Sequence, residues 1–270
     1  MPKFAANLTM LFTELDFLDR FDAAASAGFK AVEFLFPYSY KSDEIGERLA
    51  RHDLGLVLHN LPAGNWSAGD RGIACLPDRV DEYRSGVARA IKYATELGCS
   101  QLNCLAGIGP NGADPKVLYE TFTENLRFSA SLLEQSGIRL LIEPINTRDI
   151  PGFFLKGTQQ AIDIIRDVGS SNLKIQYDVY HMQIMEGDLA STIERNLDLI
   201  GHIQVAENPG RHEPGTGEIN FDFLFDFLDS IGYQGWIGCE YKPKTTTVEG
   251  LGWFEAYRAR QNPTSRRIVS

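Results

Sequence analysis

No stretch of this 270-residue chain has the roughly 20 consecutive apolar residues that a membrane-spanning helix needs. The opening residues, Met1-Pro-Lys-Phe-Ala-Ala-Asn7, lack the apolar core of a secretory signal and enter a strand-like pattern at once. Together these absences predict a protein that stays out of the membrane, with a cytoplasmic location as the simplest expectation. Basic charge is also scarce. The net charge of −10 argues against a nucleic-acid surface, which depends on clustered lysine and arginine. A small anionic substrate is still allowed, because a few local cations can reverse the field inside a cleft. There are only four cysteines, Cys75, Cys99, Cys104 and Cys239, and none lies in a C-x-x-C pair. That argues against a thiolate zinc site and predicts small core residues in a reducing compartment. The five histidines are too few for a multi-metal, histidine-rich nuclease.

What is present is alternation. Short apolar runs recur at Phe4–Leu8, Ala31–Phe34, Leu56–Asn60, Gln101–Leu105, Arg139–Glu143, Leu173–Asp178, His202–Val205 and Trp236–Glu240. Between them lie stretches with helical spacing that stop at glycine: 16–27 before Gly28, 81–97 before Gly98, 119–135 before Gly137, 158–168 before Gly169 and 221–231 before Gly232. Thr158 is placed to cap the fourth of these. Repeated helix–glycine–strand units imply right-handed crossovers and a parallel sheet. Eight strands predict a closed (β/α)8 TIM barrel, a single domain over 1–260 with a polar tail at 261–270. An open dinucleotide-binding sheet would carry a glycine-rich turn after its first strand, and Asn7-Leu-Thr-Met-Leu-Phe-Thr13 has no glycine. Phe221, Phe223, Phe225 and Phe227 are expected to pack against the barrel.

Four oxygen-bearing side chains stand at or near the ends of four successive apolar runs: Glu143, Asp178, Gln204 and Glu240. Each interval between them can hold one helix and one strand, so in a parallel barrel their carboxyl ends share one face, where barrel active sites lie. Crowded carboxylates are costly unless a cation neutralises them. A mostly oxygen ligand set suits Mg²⁺ or Mn²⁺ better than Zn²⁺ or Cu²⁺. Glu143 and Glu240 have arms long enough both to ligate and to move a proton. His181, three residues past Asp178, and the cations Arg211 and Lys242, after the seventh and eighth runs, are candidate substrate contacts. Two irregular segments, Leu61–Asp78 and Glu207–Asn220, follow strands and fall on the same face. The first carries Trp66 and Arg71, and His59 and Asn60 precede it, so His59 and Arg71 join the candidate binding residues. His202 is read as structural and His52 as an exposed helix residue. The formation of a homo-oligomer is left open.

Several longer motifs point the same way. They are Phe4-Ala-Ala-Asn-Leu-Thr-Met-Leu11, Val32-Glu-Phe-Leu-Phe-Pro-Tyr38, His59-Asn-Leu-Pro-Ala-Gly64 and Leu141-Ile-Glu-Pro-Ile-Asn146. Ile175-Gln-Tyr-Asp-Val-Tyr-His-Met-Gln183, Glu213-Pro-Gly-Thr-Gly-Glu-Ile-Asn220 and Gly238-Cys-Glu-Tyr-Lys-Pro243 complete the set. On these, residues 3 to 257 resemble the hydroxypyruvate isomerase family, within the xylose-isomerase-like TIM barrels that also hold the tagatose and psicose 3-epimerases. The resemblance implies that Glu143, Asp178, Gln204 and Glu240 hold a divalent metal and that Glu143 and Glu240 are the acid/base pair. It also implies that His181 and Arg211 contact substrate. The epimerases usually carry histidine at the position of Gln204. The activity implied is interconversion of hydroxypyruvate and tartronate semialdehyde through an enediolate. The alternatives are a 2-oxo-tetronate isomerase or a ketose 3-epimerase. A repair nuclease and a non-catalytic sugar-acid binder are the rivals from other classes.

Overall fold

A computed structural model describes residues 2–261. Its eight strands, all parallel, close in the order β1 to β8: Lys3–Asn7, Ala31–Glu33, Gly55–Asn60, Gln101–Cys104, Arg139–Ile142, Leu173–Asp178, Ile200–Val205 and Trp236–Cys239. β8 returns to pair with β1. The helices are α1 Arg20–Ser26, α2 Ser42–His52, α3 Val80–Leu97, α4 Pro115–Gln135 and α5 Thr158–Val168. They continue with α6 Val179–Met185, α7 Leu189–Arg195, α8 Phe221–Ser230 and α9 Gly252–Gln261. The chain is thus a single (β/α)8 barrel. The proposed tail begins at Gln261, the last residue of α9, and residues 262–270 lie outside the described residues. No helix among the described residues is long and apolar enough to cross a membrane.

The strands are buried on both faces, as a barrel wall requires. Their ends are levelled by register. Asp178 is the Cα partner of Gln204, and Gln204 that of Gly238. Val205 pairs with Cys239, so Glu240 stands one residue beyond the last paired position of β8. Glu143 likewise stands one residue past the end of β5. The apolar runs therefore end where expected, with the two glutamates just outside the strands rather than within them. All four cysteines are buried and free, as expected.

Three local readings need correction. Phe223 is 55% exposed and Phe227 only half-buried; their rings stack on each other at 5.8 Å. Phe221 and Phe225 do pack inward, with Phe225 edge-on to Phe4 at 5.0 Å. Residues two apart lie on different flanks of a helix, so four alternate phenylalanines cannot share one face. Thr158 is not a cap but the first residue of α5; the cap residue is Gly157. The Thr158 N–H and hydroxyl instead donate to the carboxylate of Glu186, at 2.7 and 2.8 Å. His52, at the end of α2, is half-buried rather than exposed and pairs with Asp22 at 2.6 Å. Gly98 closes α3 in the left-handed region (φ 67°), as the glycine stop signal predicts.

Candidate active site

Asp178 ends β6 and caps α6: its Oδ1 accepts from the Tyr180 N–H at 2.8 Å, which leaves Oδ2 facing the mouth. Glu143 accepts from the Asn103 amide of β4 at 2.9 Å. Glu240 accepts from the Asn7 amide of β1 at 3.3 Å. All three carboxylates are buried. One arginine reaches two of them. Arg211 Nη2 lies 2.6 Å from Glu240 Oε2 and 3.3 Å from Asp178 Oδ2, and its guanidinium sits 5.0 Å from the centre of the Tyr180 ring. Its Nε–H has no protein partner among the described residues.

The loop after β7 is shaped to deliver Arg211. Glu207 is fully buried, and its carboxylate accepts from the N–H groups of Asn208, Gly215 and Ile219 at 3.1, 3.0 and 2.8 Å. The Arg211 N–H bonds the Glu207 carbonyl, and the Arg211 carbonyl accepts from Lys242 N–H at 2.7 Å. Arg211 is held at φ 57°, which costs a non-glycine residue of order 1–3 kcal/mol and persists only under such constraint.

With only the protein's own charges present, burial drives the Glu143 carboxyl well above the ordinary range, and the neighbouring charges of Glu240 and Asp178 push it the same way. Burial also raises Glu240, to about 8, against the lowering effect of Arg211. Burial works against the Arg211 charge, but Glu240, Asp178 and Glu143 together outweigh it. Three carboxylates face one guanidinium, and this imbalance is what a hard divalent cation would correct. The donor set fits such an ion.

Ligand atoms of Glu143, Asp178 and His181 all lie within 4.8 Å of one another. The hydrogen bonding of His181 nevertheless sets it apart from the carboxylates. Asn146 Oδ1 accepts from the Asp149 N–H at 2.8 Å, which fixes the amide orientation; its Nδ2 then donates to His181 Nδ1 at 2.7 Å. Nδ1 is the acceptor from Asn146, so neutral His181 carries its proton on Nε2, which lies 3.5 Å from Asp178 Oδ2, 3.8 Å from Glu143 Oε1 and 3.5 Å from Arg211 Nη2. A metal-ligating histidine needs the opposite tautomer, with the remote nitrogen donating. Burial lowers the His181 pKa to about 4, which keeps the ring neutral and the Nε2–H a hydrogen-bond donor.

The remaining sequence candidates separate. Gln204, two strands' width from Glu143, lies beside Asp178 in register, and its Oε1 accepts from Gln176 at 2.6 Å. His59 is fully buried, with burial lowering its pKa to about 4, and it contacts Tyr38 and the Asn60 carbonyl. Arg71 does not reach the carboxylates: it covers the Trp66 ring at 4.2 Å and donates to the carbonyls of Trp66 and Asp70. Lys242 is exposed, on the wall of a shallow cavity with Thr9, Met10 and Glu14. His202 pairs with Glu33 at 2.7 Å inside the barrel, in keeping with its structural reading. Sequence reasoning did not single out Asn7, Glu33, Asn103 or Asn146. Their signal was a polar residue within or just beyond an apolar run.

The family model of the xylose isomerase-like TIM barrel matches residues 21–257. The chain belongs to that family. Hydroxypyruvate isomerase of Escherichia coli (strain K12) is 56% identical over 96% of this chain and the whole of that protein. A 2-oxo-tetronate isomerase of Cupriavidus necator is 48% identical, again over 96% of this chain and all of the relative. Among solved structures, a Brucella melitensis protein described as an AP endonuclease of family 2 superposes with a TM-score of 0.93. It is 47% identical and covers 95% of this chain and 99% of its own. D-psicose 3-epimerase from Clostridium cellulolyticum H10, at 21% identity and a TM-score of 0.73, shares the family's fold over 93% of this chain and 90% of its own.

Proposed function

We propose that this chain is a divalent-metal-assisted isomerase of small 2-oxo acids, interconverting hydroxypyruvate and tartronate semialdehyde. The carrying observation is the buried convergence of Glu143, Asp178 and Glu240 with a donor histidine and an arginine at the barrel mouth. Glu143, Asp178, Gln204 and Glu240 would hold Mg²⁺ or Mn²⁺, which when bound supplies positive charge to the oxygens of the substrate.

The protein's own groups account for the proton movement. Hydroxypyruvate presents a carbon bearing a hydroxyl beside a ketone. One glutamate of the Glu143/Glu240 pair takes a proton from the hydroxyl-bearing carbon, leaving an enediolate. A proton returns to the neighbouring carbon, from the same glutamate or the other, and the oxygens exchange hydroxyl and carbonyl character. No external oxidant or reductant is consumed. The Nε2–H of His181 can donate to a substrate oxygen. The Arg211 guanidinium supplies the positive charge that would meet the substrate carboxylate. We place the enzyme in the cytoplasm.

A second reading keeps the same chemistry on a four-carbon acid. It is supported by relatives named 2-oxo-tetronate isomerase at 48%, 44% and 41% identity. Turnover of both acids by the purified chain, before and after chelation and after return of Mn²⁺, tests the proposal. Hydroxypyruvate turnover is expected to vanish on chelation and return with the ion. Turnover of neither acid, or turnover indifferent to chelation, would refute it.

A further inference from the structure

Inside the barrel, below the mouth, lies a carboxylate that the chemistry above does not use. Glu33, at the end of β2, is fully buried. Barrel interiors are ordinarily filled by branched apolar side chains, and burying a carboxylate there is costly unless donors meet it. Three do. His202 Nε2 and Gln204 Nε2, both from β7 across the barrel, lie 2.7 Å away, and Asn7 Nδ2 lies 2.9 Å away. The wall opposite is cut to fit: a Cβ on Gly238 would overlap the Glu33 carboxyl group.

Two of these donors belong to the mouth. Gln204 is a candidate ligand, and the same Asn7 amide that meets Glu33 also reaches Glu240 Oε1 at 3.3 Å. A carboxylate can only accept hydrogen bonds. Glu33 therefore turns the Gln204 NH2 inward at 2.7 Å, while the Gln176 amide meets the Gln204 oxygen on the other side at 2.6 Å. An unrestrained glutamine has two nearly isosteric orientations, and one of them presents a donor that repels a cation.

We infer that Glu33 is a positioning residue for the metal site, setting the polarity of Gln204 directly and the placement of Glu240 through Asn7. The inference rests on the ion-binding reading above. Its test is Mn²⁺ affinity by titration calorimetry, independent of turnover. Glu33→Leu is expected to weaken Mn²⁺ binding about 10- to 100-fold, whereas Glu33→Gln, which keeps an oxygen for Asn7 and Gln204, should stay within about threefold of wild type. Gln204→Glu is informative even if Glu33→Leu fails to fold. Added carboxylate charge should by itself tighten binding, but facing Glu33 it should weaken it, and adding Glu33→Gln should restore affinity. Folded Glu33→Leu protein with wild-type affinity, or Gln204→Glu protein that binds more tightly than wild type, would overturn the inference and leave the metal reading standing. Wild-type protein that bound no Mn²⁺ would overturn both.

Discussion

Glu240→Gln is expected to lower kcat by about 10²- to 10⁴-fold, the usual contribution of a positioned acid or base, in protein that still folds. The substitution conserves volume and can still accept from Asn7, whose amide lies 3.3 Å from Glu240 Oε1. It removes the charge that meets Arg211 at 2.6 Å and the ability to carry a proton. Glu143→Gln should fall in the same range, because the two groups act as one relay and their losses will not add. Steady-state kinetics beside a melting curve is the check. A folded Glu240→Gln enzyme with near-normal kcat would remove Glu240 from the chemistry while leaving the fold untouched.

Arg211→Ala should separate two roles of one side chain. Loss of a charge-assisted contact to the substrate carboxylate is worth roughly 1.5–3 kcal/mol, so KM should rise about 10- to 100-fold with a smaller change in kcat. The same substitution strips Asp178 and Glu240 of their ion-pair partner. Removing one member of a buried pair costs several kcal/mol. Arg211 is 21% exposed, so about 2–3 kcal/mol is the reasonable expectation after allowing for solvent screening. Metal should offset that loss, since an ion that binds only the folded state stabilises it. Melting curves in chelator and in Mn²⁺ are the measurement. A destabilisation of equal size in both would mean that Arg211 supports the loop rather than the charge of the site. That alternative is structurally concrete, because Arg211 sits at positive φ in a loop organised by Glu207.

Much of this site was legible because a polar residue closing an apolar run is conspicuous in sequence. Glu143, Asp178, Gln204 and Glu240 stand at strand ends, and a parallel barrel brings strand ends together whatever their separation along the chain. The supporting layer was not legible. Glu33 finds two of its three partners on β7, and only barrel closure, through the β1–β8 pairing, brings β2 within reach of it. The tautomer of His181 depends on an amide 35 residues earlier. The reach of Arg71 and Lys242 could not be read either, since a loop position says nothing of where a long side chain ends. The phenylalanines of α8 failed for a simpler reason: spacing of two is a strand period, and α8 is a helix.

The central claim is that a single divalent ion binds among the barrel-mouth carboxylates. A crystal of the protein grown with Mn²⁺ and measured at the manganese absorption edge would test it most directly. The account predicts one strong anomalous peak touching Glu143, Asp178, Gln204 and Glu240, with His181 facing the site but outside the coordination sphere. A peak held by His181 in place of Gln204, or no peak among these residues at saturating Mn²⁺, would contradict it.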